Sequence, residues 1–309
     1  MRVLVTGGAG FLGSHLAERL LADGHEVVCL DDLSSGRREN IAPLAGSGRF
    51  TFLECDVVEP LPDCGLFDRV FHLASPVACH LERPIATLRA GAEGTRRVLD
   101  LAAGCGAVFL LASTSEVYGD PHVHPQVETY AGHVSPVGPR SSYSEAKRFA
   151  EALTVAYGRR RGLAVRIARI FNTYGPRMRP DDGRVVPTFV ARALEGRPLT
   201  VFGTGEQTRS FCYVSDMVEA LVRLAESDCD GPVNLGSPDE VRILDLAREV
   251  IELTGSASEV GFAPLPADDP LRRRPDIRLA RRALDWTPAV SRREGLGRTI
   301  AYYREAPPD

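Results

Sequence analysis

Short apolar runs alternate with amphipathic stretches through the first half of the chain. RVLV (2–5), EVVCL (26–30), FTFLEC (50–55), RVFHLA (69–74), AVFLLAS (107–113) and LAVRIARI (163–170) are β-branched or aromatic in character and short, and are predicted as buried strands. Between them lie helical patterns such as LGSHLAERLLADG (12–24), whose apolar residues recur at three and four and which stops at a glycine. Strand and helix in alternation predict an α/β fold with a Rossmann-type, doubly wound parallel sheet. After about residue 171 the alternation breaks down. Pro and Gly accumulate in FNTYGPRMRPDDGRVVP, and helices at 187–196, 215–226 and 243–254 are separated by loops. The expected division is a Rossmann domain over 1–170, joined by a strand returning from about 232–236, and a smaller C-terminal substrate-binding lobe over 171–309 that caps the sheet's carboxyl edge.

Composition narrows the classes. With 309 residues, 44% hydrophobic and 25% charged, the chain has the make-up of a soluble globular protein. A formal net charge of −4 gives no basis for a nucleic-acid partner. The seven cysteines (29, 55, 64, 79, 105, 212 and 229) are odd in number, scattered and without a CxxC pair. That predicts reduced thiols in a cytoplasmic protein, with no zinc site and no disulfide framework. The opening MRVLVTGGAG starts a strand at once, and no stretch approaches a membrane span, so no signal peptide and no membrane partner are expected.

The first motif that carries chemistry is VLVTGGAGFLGSH. Gly7, Gly10 and Gly13 sit between a strand and a helix, where a tight turn brings backbone N–H groups against a pyrophosphate at the helix N-terminus. The second strand ends in Asp31 and Asp32, where a carboxylate can bind both ribose hydroxyls and repel a 2′-phosphate. NAD is therefore expected rather than NADP.

A second motif explains an oddity of composition. Lys147 is the sole lysine, set against thirty-six arginines. It follows Tyr143 by four residues, so on a helix the two share a face. A tyrosine with an ordinary pKa of about 10 is a poor base at neutral pH, and a neighbouring ammonium favours its phenolate. An ammonium also reaches two ribose hydroxyls, which the flat guanidinium does badly. Upstream, LLASTSEVYGDP (110–121) leaves the carboxyl end of a strand, where open α/β sheets place active sites. There Thr114 offers a hydroxyl and Glu116 a carboxylate.

These residues carry a resemblance. TGGAGFLG, TSEVYGDP, YSEAK, RIFNTYGPRM, DDGRVVPTFV, GTGEQTRSFCYVSDMVEAL and DDPLRRRPDI together resemble the extended short-chain dehydrogenase/reductase family, and within it the UDP-glucuronate decarboxylases that make UDP-xylose. The resemblance runs from residue 1 to about 305 and implies NAD contacts at Gly7, Gly10, Phe11, Leu12, Gly13, Asp31, Asp32, Ser35, Gly36, Asp56, Val57, Leu73, Ser75, Tyr143, Lys147, Thr173 and Arg184. It implies nucleotide-sugar contacts at Arg89, Asn172, Val186, Phe189, Val201, Phe202, Arg209 and Arg273. The implied roles are Tyr143 as base and then acid at the sugar O4, Lys147 tuning it, Thr114 in the proton shuttle, and Ser115, Glu116 and Arg209 around C5 and its carboxylate.

One residue separates reaction types. Oxidation at C4 makes the C5 carboxylate β to a carbonyl, and such an acid loses carbon dioxide without any group to expel a hydroxyl. A 4,6-dehydratase needs an acid, and related dehydratases place an aspartic acid where this chain has Ser115, whose hydroxyl is far too weak. Alternatives are an oxidative decarboxylase releasing a 4-keto pentose and NADH, a 4-epimerase or dehydratase, and a non-enzymatic NAD-binding scaffold. The chain departs from the family pattern in a shorter loop VACHLER (77–83) without tyrosine, in Gly91 where many relatives have asparagine, and in Asp32 for a frequent asparagine. The resemblance also implies a homodimer built on the helices at 143–160 and near 84–104.

Overall fold

The computed structural model describes residues 1–76, 82–265 and 270–305. Part of the loop at 77–83, Cys79, and the acidic pair that opens the DDPLRRRPDI motif lie outside the described residues. In chain order the first elements are β1 (Arg2–Thr6), α1 (Phe11–Ala22), β2 (Glu26–Asp31), α2 (Arg38–Ile41), β3 (Phe50–Glu54) and β4 (Arg69–His72). Next come α3 (Pro84–Arg89), α4 (Thr95–Cys105), β5 (Val108–Thr114), α5 (Ser141–Arg161) and β6 (Val165–Ile170). The remainder is β7 (Thr173–Tyr174), α6 (Val185–Leu194), β8 (Leu199–Phe202), β9 (Thr208–Ser210), β10 (Cys212–Tyr213), α7 (Val214–Glu226), β11 (Pro232–Leu235), β12 (Glu240–Arg242), α8 (Ile243–Thr254), β13 (Val260–Ala263), β14 (Arg272–Arg273), α9 (Arg278–Leu284) and α10 (Arg292–Glu305).

Seven strands form one sheet in the order β11-β6-β5-β4-β1-β2-β3. β1 pairs in parallel with both β2 and β4, and the outward pairs β2–β3 and β4–β5 are parallel too. The order therefore reverses at β1, and the carboxyl ends of β1 and β4 flank the switch point at which doubly wound sheets hold ligands. The chain divides into two compact units. The first contains Met1–Val117, Val134–Arg169 and Val218–Val233; the second contains Tyr118–His133, Ile170–Met217 and the residues from Asn234 onward.

In the first unit Leu4, Val28, Leu30, Val70, Phe109, Leu111 and Ile167 form a core with Val98, Leu99 and Ala102 of α4 and Ala150 of α5. Central strands buried on both faces explain the nearly unbroken apolar runs. β3 differs from the expectation of a buried strand: as the sheet edge it leaves Thr51 and Glu54 exposed. The helix expected near 84–104 is interrupted by a π turn at Ala90–Gly94. Two glycines sit in that turn at close approaches: a Cβ on Gly91 would lie 2.6 Å from the Ala146 Cβ of α5, and one on Gly94 would lie 2.7 Å from Val57.

In the second unit β9 lies between β12 and β14, and β8 pairs with β13. Its core includes Val186, Phe189 and Val190 of α6, Leu246 and Val250 of α8, and Leu296 and Ile300 of α10, all buried. Asp216 fixes one edge, its carboxylate accepting the Ala289 and Val290 N–H groups at 3.0 and 2.9 Å. Among the described residues no helix is long and apolar enough to cross a membrane.

Candidate active site

β1 ends at Thr6, and Gly7 turns the chain with φ +72° while its N–H donates to the Leu30 carbonyl at 2.7 Å. A Cβ there would lie 2.8 Å from the Ala74 nitrogen beyond β4, so only glycine lets the two strand ends approach. At Gly13 a Cβ would stand 2.0 Å from the Gly7 carbonyl oxygen, which is why α1 can start directly over the turn. α1 opens at Gly10 with no capping side chain and no acidic residue in its first turn. The positive end of the helix dipole there suits an anion.

Asp31 is buried beside this turn, accepting the Ala9 N–H at 3.0 Å and the Leu33 N–H at 2.9 Å. Burial pushes its carboxyl up from the ordinary aspartate value, and the backbone donors oppose that shift. Asp32 is exposed and accepts from the Ser34 N–H and hydroxyl. Gly36 passes so close to Asp31 that a Cβ would lie 2.7 Å from its Oδ1, and Ser35 beside it is half-buried. Phe11 and Leu12 are half-buried on the first turn of α1, and Ser75 follows β4. Leu73 hangs from the Thr6 carbonyl by its N–H at 3.1 Å. Beyond β3, Asp56 accepts the Val58 N–H at 2.9 Å and Val57 is buried against Gly94. The donor set suits a dinucleotide: a helix N-terminus for a pyrophosphate, a cradle that a Cβ would fill, and a carboxylate at the end of β2 for ribose hydroxyls.

The Tyr143 and Lys147 side chains are both buried on α5, 7% and 5% exposed, so the stripe drawn from spacing faces inward. The Lys147 ammonium donates to the Ala112 carbonyl of β5 at 2.8 Å and lies 5.9 Å from the Tyr143 ring centroid. Burial lowers Lys147 from 10.5 to about 8, and Glu151 opposes that fall. His72 of β4 is also near and is pushed down to about 3, by burial first and by Lys147 second. It therefore stays neutral, held between the Thr6 hydroxyl at 2.7 Å and the Thr95 hydroxyl at 3.1 Å.

Thr114 and Ser115 are buried where β5 ends, and the Thr114 hydroxyl accepts the Glu116 N–H at 3.2 Å. That closes the 3-10 turn Ser115–Tyr118. The Glu116 carboxylate accepts from Arg140, just before α5, at 3.1 Å. Thr114, Ser115, Glu116, Tyr143 and Lys147 thus belong to one unit. Arg140 and Glu151 are side chains sequence reasoning passed over. Glu151 was within reach of it, since Tyr143, Lys147 and Glu151 repeat every four residues.

The second unit carries the remaining expected contacts. Arg209 and Arg273 are register partners on β9 and β14 and are both buried. Val186, Phe189 and Val201 are core residues, whereas Phe202 is 45% exposed. The Thr173 hydroxyl donates to the Phe171 carbonyl at 2.9 Å, and the Asn172 carbonyl accepts the Cys212 N–H at 2.9 Å. Arg184 precedes α6 in an ion pair with Asp182. Arg89, also an expected contact, is on α3 in the first unit and pairs with Glu93 at 3.1 Å. Among the described residues no group of His, Cys, Asp and Glu side chains is placed to hold a metal ion.

The model of the NAD dependent epimerase/dehydratase family matches residues 3–236. UDP-glucuronic acid decarboxylase 1 of Xenopus tropicalis is 51% identical over 306 residues, covering 98% of this chain and 72% of the relative. Among solved structures, the UDP-glucose 4-epimerase of Thermotoga maritima with UDP-glucose superposes with a TM-score of 0.92 at 31% identity, covering 99% of both chains. The UDP-glucuronic acid 4-epimerase of Bacillus cereus, in complex with UDP-glucuronic acid and NAD, gives 0.88 at 28% identity, again over 99% of both.

Proposed function

The chain belongs to the NAD dependent epimerase/dehydratase family, and from that premise we propose that it is an NAD-dependent decarboxylase converting UDP-glucuronate to UDP-xylose. The observation that carries the reading is the turn after β5, where buried Ser115, a hydroxyl and not an acid, stands between Thr114 and Glu116 at the end of the strand whose Ala112 carbonyl accepts the Lys147 ammonium. Relatives named as UDP-glucuronic acid decarboxylases at about half identity over nearly the whole chain support it.

The first unit holds NAD through the Gly7–Gly13 turn, the first turn of α1 and Asp31. The chemistry NAD supplies when bound is reversible oxidation at the sugar C4, which turns the C5 carboxylate into that of a β-keto acid and lets it leave as carbon dioxide. Tyr143, as phenolate, takes the proton from O4, and the Lys147 ammonium stabilises that phenolate. Thr114 shares the proton at O4 with Tyr143. Once the carboxylate has gone, Tyr143 returns a proton to O4 as the alcohol is restored. Loss of carbon dioxide leaves the electron pair as an enolate that takes a proton at C5, and Ser115 and Glu116 serve there. In the second unit Arg209 and Arg273 bring two guanidinium groups to adjacent strands, a pairing suited to the diphosphate and carboxylate of a nucleotide sugar. The boundary near residue 170 then separates a dinucleotide-binding part from a sugar-nucleotide-binding part.

The protein acts as a homodimer in this reading. Ile85 and Leu88 of α3 and Phe149 of α5 are 73%, 43% and 50% exposed on two helices that pack on each other, and these exposed apolar side chains support the pairing of α3 and α5 with a copy. A cytoplasmic location accords with free thiols at Cys29, Cys55, Cys64, Cys105, Cys212 and Cys229.

Incubation with UDP-glucuronate and NAD, followed by mass analysis of the sugar nucleotide, tests the assignment. A product lighter by one carbon dioxide, without net NADH, is expected. An epimer of unchanged mass or a dehydrated product would overturn it, and stoichiometric NADH would make the enzyme the oxidative type.

A further inference from the structure

One ion pair of the first unit has no part in the reaction as described. On α5, Glu151 lies one turn beyond Lys147, just as Lys147 lies one turn beyond Tyr143, so the three side chains share a face. Glu151 is held from two sides. Its Oε1 accepts the Ser113 hydroxyl at 2.5 Å and Arg169 Nε at 3.0 Å, while Oε2 accepts Arg169 Nη2 at 2.7 Å. The side chains of the ion pair are each 12% exposed. β5 therefore hands successive groups to successive turns of α5: the Ala112 carbonyl to Lys147, then the Ser113 hydroxyl to Glu151.

We propose that Glu151 is a positioning residue for the catalytic pair: fixed by Ser113 and Arg169, its carboxylate keeps the neighbouring Lys147 side chain protonated in a buried site. The inference rests on Lys147 acting as an ammonium beside Tyr143.

The surroundings leave Glu151 as the anion for this task. β4 presents His72, which is neutral. α3 and the π turn carry Arg89 and Glu93, an exposed pair. Asp100 of α4 is taken by Arg96, Tyr157 and Arg161 toward the far end of α5. β6 adds a second cation, Arg169. Lys147 and Arg169 thus share a poorly hydrated region with the Glu151 carboxylate and with Tyr143, an anion only once its phenol ionises, and loss of the carboxylate falls on the cation that can release a proton, because an arginine does not. Burial already brings Lys147 to about 8, with Glu151 working against the fall.

The composition supplies the probe. Lys147 is the only lysine, so a chain labelled with lysine carbon-13 at Cε gives one lysine signal, whose midpoint is read by NMR titration without any substrate. Glu151→Gln keeps the shape and removes the charge, and its Lys147 midpoint is expected to fall by about one pH unit. Arg169→Gln removes the competing cation and is expected to raise the midpoint. Opposite shifts distinguish an electrostatic role from a packing role, which would move both variants alike. An unmoved midpoint in a folded Glu151→Gln protein overturns the proposal, and so do shifts of one sign. Should Glu151→Gln fail to fold, Arg169→Gln decides alone: a rise supports the proposal and a fall or no change overturns it. Because the titration needs no turnover, its failure is distinct from a failure to decarboxylate UDP-glucuronate.

Discussion

The Lys147 ammonium donates to the Ala112 carbonyl at 2.8 Å, which ties the helix carrying the tyrosine to the strand that ends in Thr114. A guanidinium at this position would bring a planar fork where the site accommodates one point charge. Lys147→Arg is therefore expected to fold and yet lose at least about 100-fold in kcat, measured by product formation from UDP-glucuronate.

The same burial sets a pH dependence. Lys147 in the folded protein titrates at about 8 against 10.5 when unhindered, so its charge, and turnover with it, is lost as pH rises through about 8. Stability moves the other way. Between about 8 and 10.5 the unfolded chain binds more protons than the folded one at this residue, so stability rises with pH in that window. Denaturation of the parent and of Lys147→Met across this range should show the parent gaining up to roughly 3 kcal/mol relative to the variant. A constant difference between the two would contradict it.

Tyr143→Phe removes the base and leaves the ring. Turnover should fall about 100- to 10,000-fold, while NAD affinity, measured by calorimetry, should change by less than the loss in rate. Carbon dioxide release at the parent rate would refute the mechanism outright.

Gly13→Ala places a methyl 2.0 Å from the Gly7 carbonyl oxygen, a backbone atom with little room to move. The expected result is loss of NAD binding together with destabilisation of about 1–3 kcal/mol, read from a denaturant midpoint. Gly104→Ala is a control, because a Cβ at that glycine meets nothing within 4 Å.

Arg209→His and Arg273→Gln each remove one member of the buried arginine couple on β9 and β14. Either should raise KM for UDP-glucuronate at least about tenfold, the scale of one charge-assisted hydrogen bond, with NAD affinity unaltered. An Arg209→His protein that decarboxylates at the parent rate would exclude Arg209 from the chemistry at C5.

Much of the first unit was legible in the sequence because its parallel strands are buried on both faces and leave apolar runs long enough to recognise. The glycine turn was legible because glycine at Gly7, Gly10 and Gly13 answers to specific close approaches. The second unit was read as helices separated by loops, yet it also contains paired strands. β7, β9, β10, β12 and β14 are two or three residues each, less than two periods of alternation, and register with distant partners rather than local pattern decides them. The π turn was equally hidden. Its two glycines pass close to Ala146 and Val57, and neither neighbour is apparent from residues 90–94 alone. At the site, the Tyr143–Lys147 stripe followed from helical spacing, whereas the Arg140–Glu116 pair joins residues twenty-four apart that no period connects.

That the lone lysine is interior gives the molecule an unusual surface chemistry. Acylating reagents and amine-directed cross-linkers meet no accessible side-chain amine among the described residues while α5 lies against β5. Tagging at this position would therefore clock the opening of that helix. The catalytic ammonium would double as a gauge of breathing in the scaffold that shelters it.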